Sequence, residues 1–280
     1  MSIPESFLED GKNIKDYASK IVREKENEMG PFNYKTDKDL VDRESKPMQL
    51  VEGYARYEGD WSVEEGLRDG VGIQVWSDGS MYEGCWRKGK PHGEGRLIHA
   101  DGDVYQGQWK ADKAHGKGTY YYTDGVMYKG EWRNDMQHGE GIKTWPDGTE
   151  YSGGYNRGKK NGRGSFKWAD SSVYIGDFKN NKFEGKGVYE WPDGRKYEGE
   201  WKKGKMHGRG VYSWTDGRAF DGEYNMDKKE GFGIYSWSDG RKYEGDWLNG
   251  KQHGQGTYTN SRGDVKVGQW LEGKRINWIK

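Results

Sequence analysis

The chain of 280 residues carries 46 basic and 46 acidic side chains, and this zero net charge argues against the extended basic surface that nucleic-acid binding requires. Leu, Ile, Val and Phe together number only 37, whereas 14 Trp, 20 Tyr and 46 Gly are present, a composition that suits a thin ring-rich sheet better than a thick aliphatic core. The single cysteine, Cys85, excludes an internal disulfide framework and points to a reducing compartment, and no apolar run approaches the ~20 residues of a membrane-spanning helix.

In chain order, residues 1–56 form an N-terminal extension. Ser6 and Glu9 make a capping-box signal, Ile14, Tyr17, Ala18 and Ile21 form a stripe at helical spacing, and Met29-Gly30-Pro31 stops it, so a helix is expected over about 6–29. Residues 31–56 read as an irregular lead-in, with Tyr54 covering the first hairpin. The charged N-terminus has no signal-peptide core, giving the expectation of a cytoplasmic chain.

From residue 57 to 280 the text repeats. Aromatic-x-Gly-x-aromatic clusters, or close copies, start at Tyr57, Tyr82, Tyr105, Tyr128, Tyr151, Tyr174, Tyr197, Phe220, Tyr243 and, degenerate, Lys266, and all but the first are spaced by 23 residues. A fixed period means a stacked array in which each unit packs on its neighbours. Within one unit Tyr197, Gly199 and Trp201 alternate with Glu198 and Glu200, and Gly208, Gly210, Tyr212 and Trp214 alternate with Arg209, Val211 and Ser213, so each unit is a hairpin with one ring-and-glycine face. Gly inside a strand costs roughly 0.5–1 kcal/mol. Its recurrence at the third cluster position and in a Gly-x-Gly pair is expected to give neighbouring rings somewhere to lie.

Two turn types follow the same period. Asp-Gly, as at Asp78-Gly79 and Asp193-Gly194, marks a tight hairpin with Gly at positive φ, and Asp170-Ser171 breaks the rule. The other loop carries Gly89, Asp112, Asp135, Gly158, Asn181, Gly204, Asp227, Gly250 and Gly273 at one position, all residue types that tolerate the left-handed region. At two strands per unit, a twisted single-layer ribbon should advance about 9.6 Å per repeat.

Written as Tyr-Glu-Gly-x-Trp-x-x-Gly-Lys-x-His-Gly-x-Gly-x-Tyr-x-Trp-x-Asp-Gly-x-x, the unit resembles the MORN repeat over residues 57–280, and the chain is most similar to the repeat-only MORN proteins of protists. The resemblance implies an all-β, single-layer twisted antiparallel β-solenoid of about nine and a half hairpins, often dimeric, with a curved groove for a partner helix in a cytoskeletal or ciliary (axonemal) assembly. It also implies affinity for anionic phospholipids, and in some members an attached lipid kinase. The 56 residues before the array are too few for a kinase domain, which leaves at most a regulatory subunit. Tyr155, Phe178 and Tyr224 replace Trp, and Asn161, Glu184 and Glu230 replace His. The ring row is therefore expected to weaken around residues 155–185, where a bend or a dimer seam could sit.

The candidate partner-binding residues are the most regular rings: Tyr105, Trp109, Tyr128, Trp132, Tyr197, Trp201, Tyr243 and Trp247. The candidate anion-binding edge is the lysine row Lys90, Lys113, Lys159, Lys182, Lys202, Lys203, Lys205, Lys228 and Lys251. Gly-x-x-x-x-Gly-Lys at Gly84, Gly153, Gly199, Gly245 and Gly268 lacks the Ser or Thr and the following helix of a phosphate-binding loop. His92, His115, His138, His207 and His253 recur ~10 Å apart, too far to share a metal, and are expected to bond the loop backbone. Cys85 stands where acidic residues or Gln recur and is expected at the surface. No catalytic set, cofactor or metal site is expected. The N-terminal helix is expected to dock on the aromatic groove, in its own chain or a dimer mate, to anchor the array to another protein, or to serve as a simple end cap.

Overall fold

The computed structural model describes residues 12–33 and 41–279, so the Ser6/Glu9 capping signal lies outside the described residues. The expected helix is broken. Ile14–Tyr17 forms a 3-10 turn capped by Asn13, Ala18 and Ser19 are extended, and α1 (Lys20–Met29) starts afresh with the Ser19 hydroxyl accepting from Val22 N. Asn13 and Ser19 are both strong N-cap types, so the apolar stripe is divided between two helical starts. Gly30, at φ 72°, ends α1.

The lead-in is not irregular either. β1 (Arg43–Val51) pairs antiparallel with β2 (Ala55–Ser62), closing the edge that the first repeat would otherwise expose. Tyr54 lies in the turn between them, 67% exposed, and covers nothing.

The chain divides into two compact units, Met1–Pro146 and Asp147–Lys280. In the first, β3 (Arg68–Val75), β4 (Met81–Arg87), β5 (Lys90–Ile98) and their successors each pair with the next strand in sequence as far as Met136–Thr144. In the second the same order runs from Glu150–Asn156 to Lys274–Trp278. Both units are open antiparallel sheets, as the hairpin period requires.

Register fixes the two faces. Tyr82↔Leu97, Gly84↔Gly95 and Trp86↔Pro91 share one face, and Met81↔Ile98 and Glu83↔Arg96 share the other. The N-terminal segment docks on the face opposite the rings, in its own chain, and not on the aromatic groove. Ile14, Ala18 and Val22 form one buried cluster with Val75, Met81, Ile98 and Val104. Beside it Arg96, 1% exposed, donates from Nε to Glu83 Oε1 at 2.8 Å and from Nη1 to the Gly30 carbonyl at 2.9 Å, tying the end of α1 to the sheet.

All nine expected left-handed loop positions have positive φ, from 65° at Asp135 to 85° at Gly273, and each residue before them does too, as at Lys88 (50°) and Met226 (50°). These are two-residue type I′ turns, whose twist matches that of the strands. The Asp-Gly turns are three-residue loops: Gly79 N donates to Trp76 O at 3.0 Å, Trp76 N to Ser80 O at 3.0 Å, and Ser80 N to Asp78 Oδ1 at 2.9 Å. Ser171 adopts the same conformation at φ 72°, so the break in the Asp-Gly text is no break in the backbone.

Candidate functional site

Each cluster is built around a break in the strand ladder. Between Gly84↔Gly95 and Trp86↔Pro91 the register shifts, so Cys85 opposes the three residues 92–94. The Tyr82 hydroxyl donates to the Cys85 carbonyl at 2.9 Å, and Tyr105, Tyr128, Tyr197 and Tyr243 do the same to Gln108, Glu131, Glu200 and Asp246 at 2.8–3.0 Å. To reach that carbonyl the ring lies flat across the paired glycines. A Cβ on Gly95 would sit 2.4 Å from Tyr82 Cζ, and one on Gly210 would sit 2.6 Å from Tyr197 Cζ. The Trp indole bonds backward, Trp109 Nε1 donating to Gly95 O at 3.0 Å and Trp201 Nε1 to Gly187 O at 3.1 Å.

The rings then alternate edge to face along the array. Tyr105 is 5.0 Å from Trp109 and 5.2 Å from Trp132, each near perpendicular. The row does not weaken at residues 155–185: Tyr151–Tyr155, Tyr151–Phe178 and Tyr174–Phe178 keep separations of 5.1–5.2 Å, and Phe183 stacks on Tyr174 at 3.7 Å. Tyr and Phe replace Trp there without loss of ring contact.

This packing corrects the expected binding face. Tyr105, Trp109, Tyr128, Trp132, Tyr197, Trp201, Tyr243 and Trp247 are all at most 8% exposed, so they are core of the sheet and not a continuous exposed binding face, although Tyr105, Trp109 and Trp132 also wall a groove beside Ala114. Burial raises the phenol pKa of Tyr105, Tyr128 and Tyr197, and pushes that of Tyr243 up to about 12.

The accessible rings form a second row beside the Asp-Gly turns. In the second unit Phe166, Trp168, Tyr189, Trp191, Tyr212, Trp214, Tyr235, Trp237, Tyr258 and Trp278 make an unbroken chain with successive centroids 4.4–6.2 Å apart, all but Tyr212 half-buried. Arg195, Arg218 and Arg241 lie 5.3–5.4 Å over Trp191, Trp214 and Trp237 while bonding Asp193, Asp216 and Asp239 of their own turns. The signal for this row was in the text, since Tyr212 and Trp214 share the ring face, but regularity favoured the other rings.

A further position also escaped the sequence reading. Two residues after each I′ turn the side chain reaches over the cluster ring of its own unit, where Lys229 stands within 4.6–5.3 Å of Trp214, Phe220, Tyr235 and Trp247. Desolvation by these walls, then repulsion from Arg218, lowers the Lys229 pKa to about 8. Lys160 occupies the equivalent place over Tyr151 and Phe166.

Lys90, Lys113, Lys159, Lys182, Lys202, Lys203, Lys205, Lys228 and Lys251 are exposed along the I′ edge, interleaved with Asp112, Asp135 and Asp227; Lys205 is 4.0 Å from Asp227. Cys85 is buried, at 8% exposure, with Gly93 packed against its side chain, and not at the surface. His115, His207 and His253 have buried Nδ1 atoms without a hydrogen-bond partner, so those atoms do not make the expected bond to the loop. Among the described residues no group of three or more His, Cys, Asp or Glu is placed to hold a metal, and no helix is long and apolar enough to cross a membrane.

The MORN-repeat profile matches nine successive segments spanning residues 57–265, among them 82–104, 105–127 and 197–217. The chain belongs to the MORN-repeat family. No curated protein matches the chain significantly. Among solved structures it is similar to the SAS-4 (dCPAP) TCP domain of Drosophila melanogaster, solved in complex with a proline-rich motif of Ana2 (dSTIL), at 14% identity over 70% of this chain and 99% of that one, with a TM-score of 0.31. The wild-type TCP10 domain of Danio rerio CPAP gives 14% identity over 83% and 99%, TM-score 0.32, and a virginiamycin B lyase from Staphylococcus aureus gives 10% over 87% and 96%, TM-score 0.17. Likeness at this level carries no argument about what the MORN array binds.

Proposed function

We propose that this MORN array is a non-catalytic scaffold that holds a helical segment of a partner protein along its outer ring row, within a cytoplasmic cytoskeletal or ciliary assembly. The observation that carries the reading is the continuous half-exposed row from Phe166 to Trp278, a contiguous aromatic strip of the kind that interfaces use as anchors. Its spacing suits a helix. Successive repeats recur about 9.6 Å apart, while residues seven apart on an α-helix rise about 10.5 Å, so a partner with a heptad apolar stripe meets one ring pair per turn pair. The cytoskeletal setting is supported by the resemblance to repeat-only family members.

The test places a photo-crosslinking benzoylphenylalanine at Trp214 or at Val211, which lies on the opposite face, in native extract. Adducts from position 214 mapping to a heptad-patterned segment are expected, and adducts only from position 211 overturn the reading. A membrane reading draws on the nine exposed lysines of the I′ edge. It expects flotation with phosphatidylserine vesicles at low salt, lost when Lys202, Lys203 and Lys205 are replaced by Glu; absence of flotation dismisses it.

A further inference from the structure

The environment of Lys229 recurs in the first unit without its lysine. Moving back five periods, Lys229 becomes Ala114, and its four ring walls Trp214, Phe220, Tyr235 and Trp247 become His99, Tyr105, Tyr120 and Trp132. The geometry is conserved between the two sites. Tyr105–Trp132 and Phe220–Trp247 are 5.2 and 5.0 Å apart, both at 81°, and Tyr120–Trp132 and Tyr235–Trp247 are 6.1 and 6.2 Å apart. Where Lys229 fills its own cage, the methyl of Ala114 leaves the space open as part of a groove of about 540 Å³, which has these same four rings among its walls and continues past Pro91 to Trp76, Tyr82 and Leu97.

The charges differ in the direction a cation needs. Asp103 stands where Arg218 stands beside Lys229, and accepts from the Tyr120 hydroxyl at 2.9 Å. Asp112 and Asp135 line the same groove. Rings present their negative faces to an ammonium, and a carboxylate rim adds to that attraction. The neighbouring notch at Pro91 has Leu97 in place of a ring and offers a less complete cage.

We propose that the Ala114 notch is a cage for a lysine side chain of a protein partner, the intermolecular counterpart of the Lys229 cage that the chain fills for itself. The inference rests on the scaffold reading and names the side chain that the ring face accepts in the first unit.

The test titrates the full chain with Nα-acetyl-lysine methylamide and with the norleucine analogue, which lacks the ammonium, following the Trp132 indole by NMR. A saturable shift at roughly millimolar ligand is expected, with the norleucine amide roughly tenfold weaker. Ala114→Lys, which copies Lys229, should abolish the response while the chain stays folded, and Ala114→Met should do so without adding a charge. Equal responses to the two amides, a lysine response that survives Ala114→Lys and Ala114→Met, or no saturable shift would overturn the proposal. If cross-links from position 214 form while the lysine amide fails, this inference falls and the scaffold reading stands.

Discussion

At the residue scale the determining contact is a tyrosine lying across two bare α-carbons. Tyr197 covers Gly199 and Gly210, and its hydroxyl satisfies the Glu200 carbonyl that the register break sets aside. Gly210→Ala must displace that ring, and overpacking of this kind costs about 1–3 kcal/mol; urea unfolding measures it, and an unchanged midpoint would show that the ring yields freely. Ser171 holds a left-handed conformation that costs an L-residue roughly 1–2 kcal/mol. Ser171→Gly is therefore expected to raise the melting temperature slightly, since every equivalent Asp-Gly turn already has Gly there. Lys229 supplies a pH dependence. Its folded pKa of about 8 lies below the ordinary lysine value of 10.5, so the unfolded chain binds more protons between those limits and stability should rise as pH increases through that window. Lys229→Met should flatten the rise, as followed by urea midpoints at pH 7.5 to 9.5.

At the scale of elements, the period made the hairpins legible before any coordinate. Tyr197-x-Gly-x-Trp gives one strand face, and nine loop residues chosen only for left-handed tolerance all have positive φ. The extension was harder to read, because β1 has no repeat to copy and its sequence, Arg43 to Val51, contains a Pro and no clean alternation. Pairing with β2 makes it a strand. α1 could be recognised as amphipathic, but the face that receives it could not: Val75, Met81, Ile98 and Val104 are all apolar at positions where later repeats mix apolar residues with charged ones such as Glu150, Lys167, Glu190 and Lys196. Val22→Asp should release α1, exposing backbone amides of β5 to faster hydrogen exchange while amides after residue 150 keep their protection; uniform protection would show that α1 contributes little.

For the whole molecule, strands that within each unit follow one another in space as in sequence have mostly nearest-neighbour terms. Excision of residues 197–219, one 23-residue period, should therefore leave a folded array with a modestly lower melting temperature, checked by circular dichroism, whereas a compact globule would not survive the loss. The same repetition explains why the candidate site was only partly legible. The shared Tyr-x-Gly-x-Trp text at Tyr105, Tyr197 and Tyr243 reports what the fold needs everywhere, so the most regular rings turned out to be core. The proposed cage lies where repeats differ, at Ala114 against Lys229.

The sequence by itself determined the hairpin period, the ring-and-glycine face, both turn positions and the family, because these depend on residues close in the chain and are written many times over. Only the tertiary structure decided which rings are buried and which line a groove, that α1 covers the opposite face, and that Arg96 and Glu83 meet beneath it. Burial is a property of what neighbouring strands and a distant helix lay on top of a residue, and no local pattern records that.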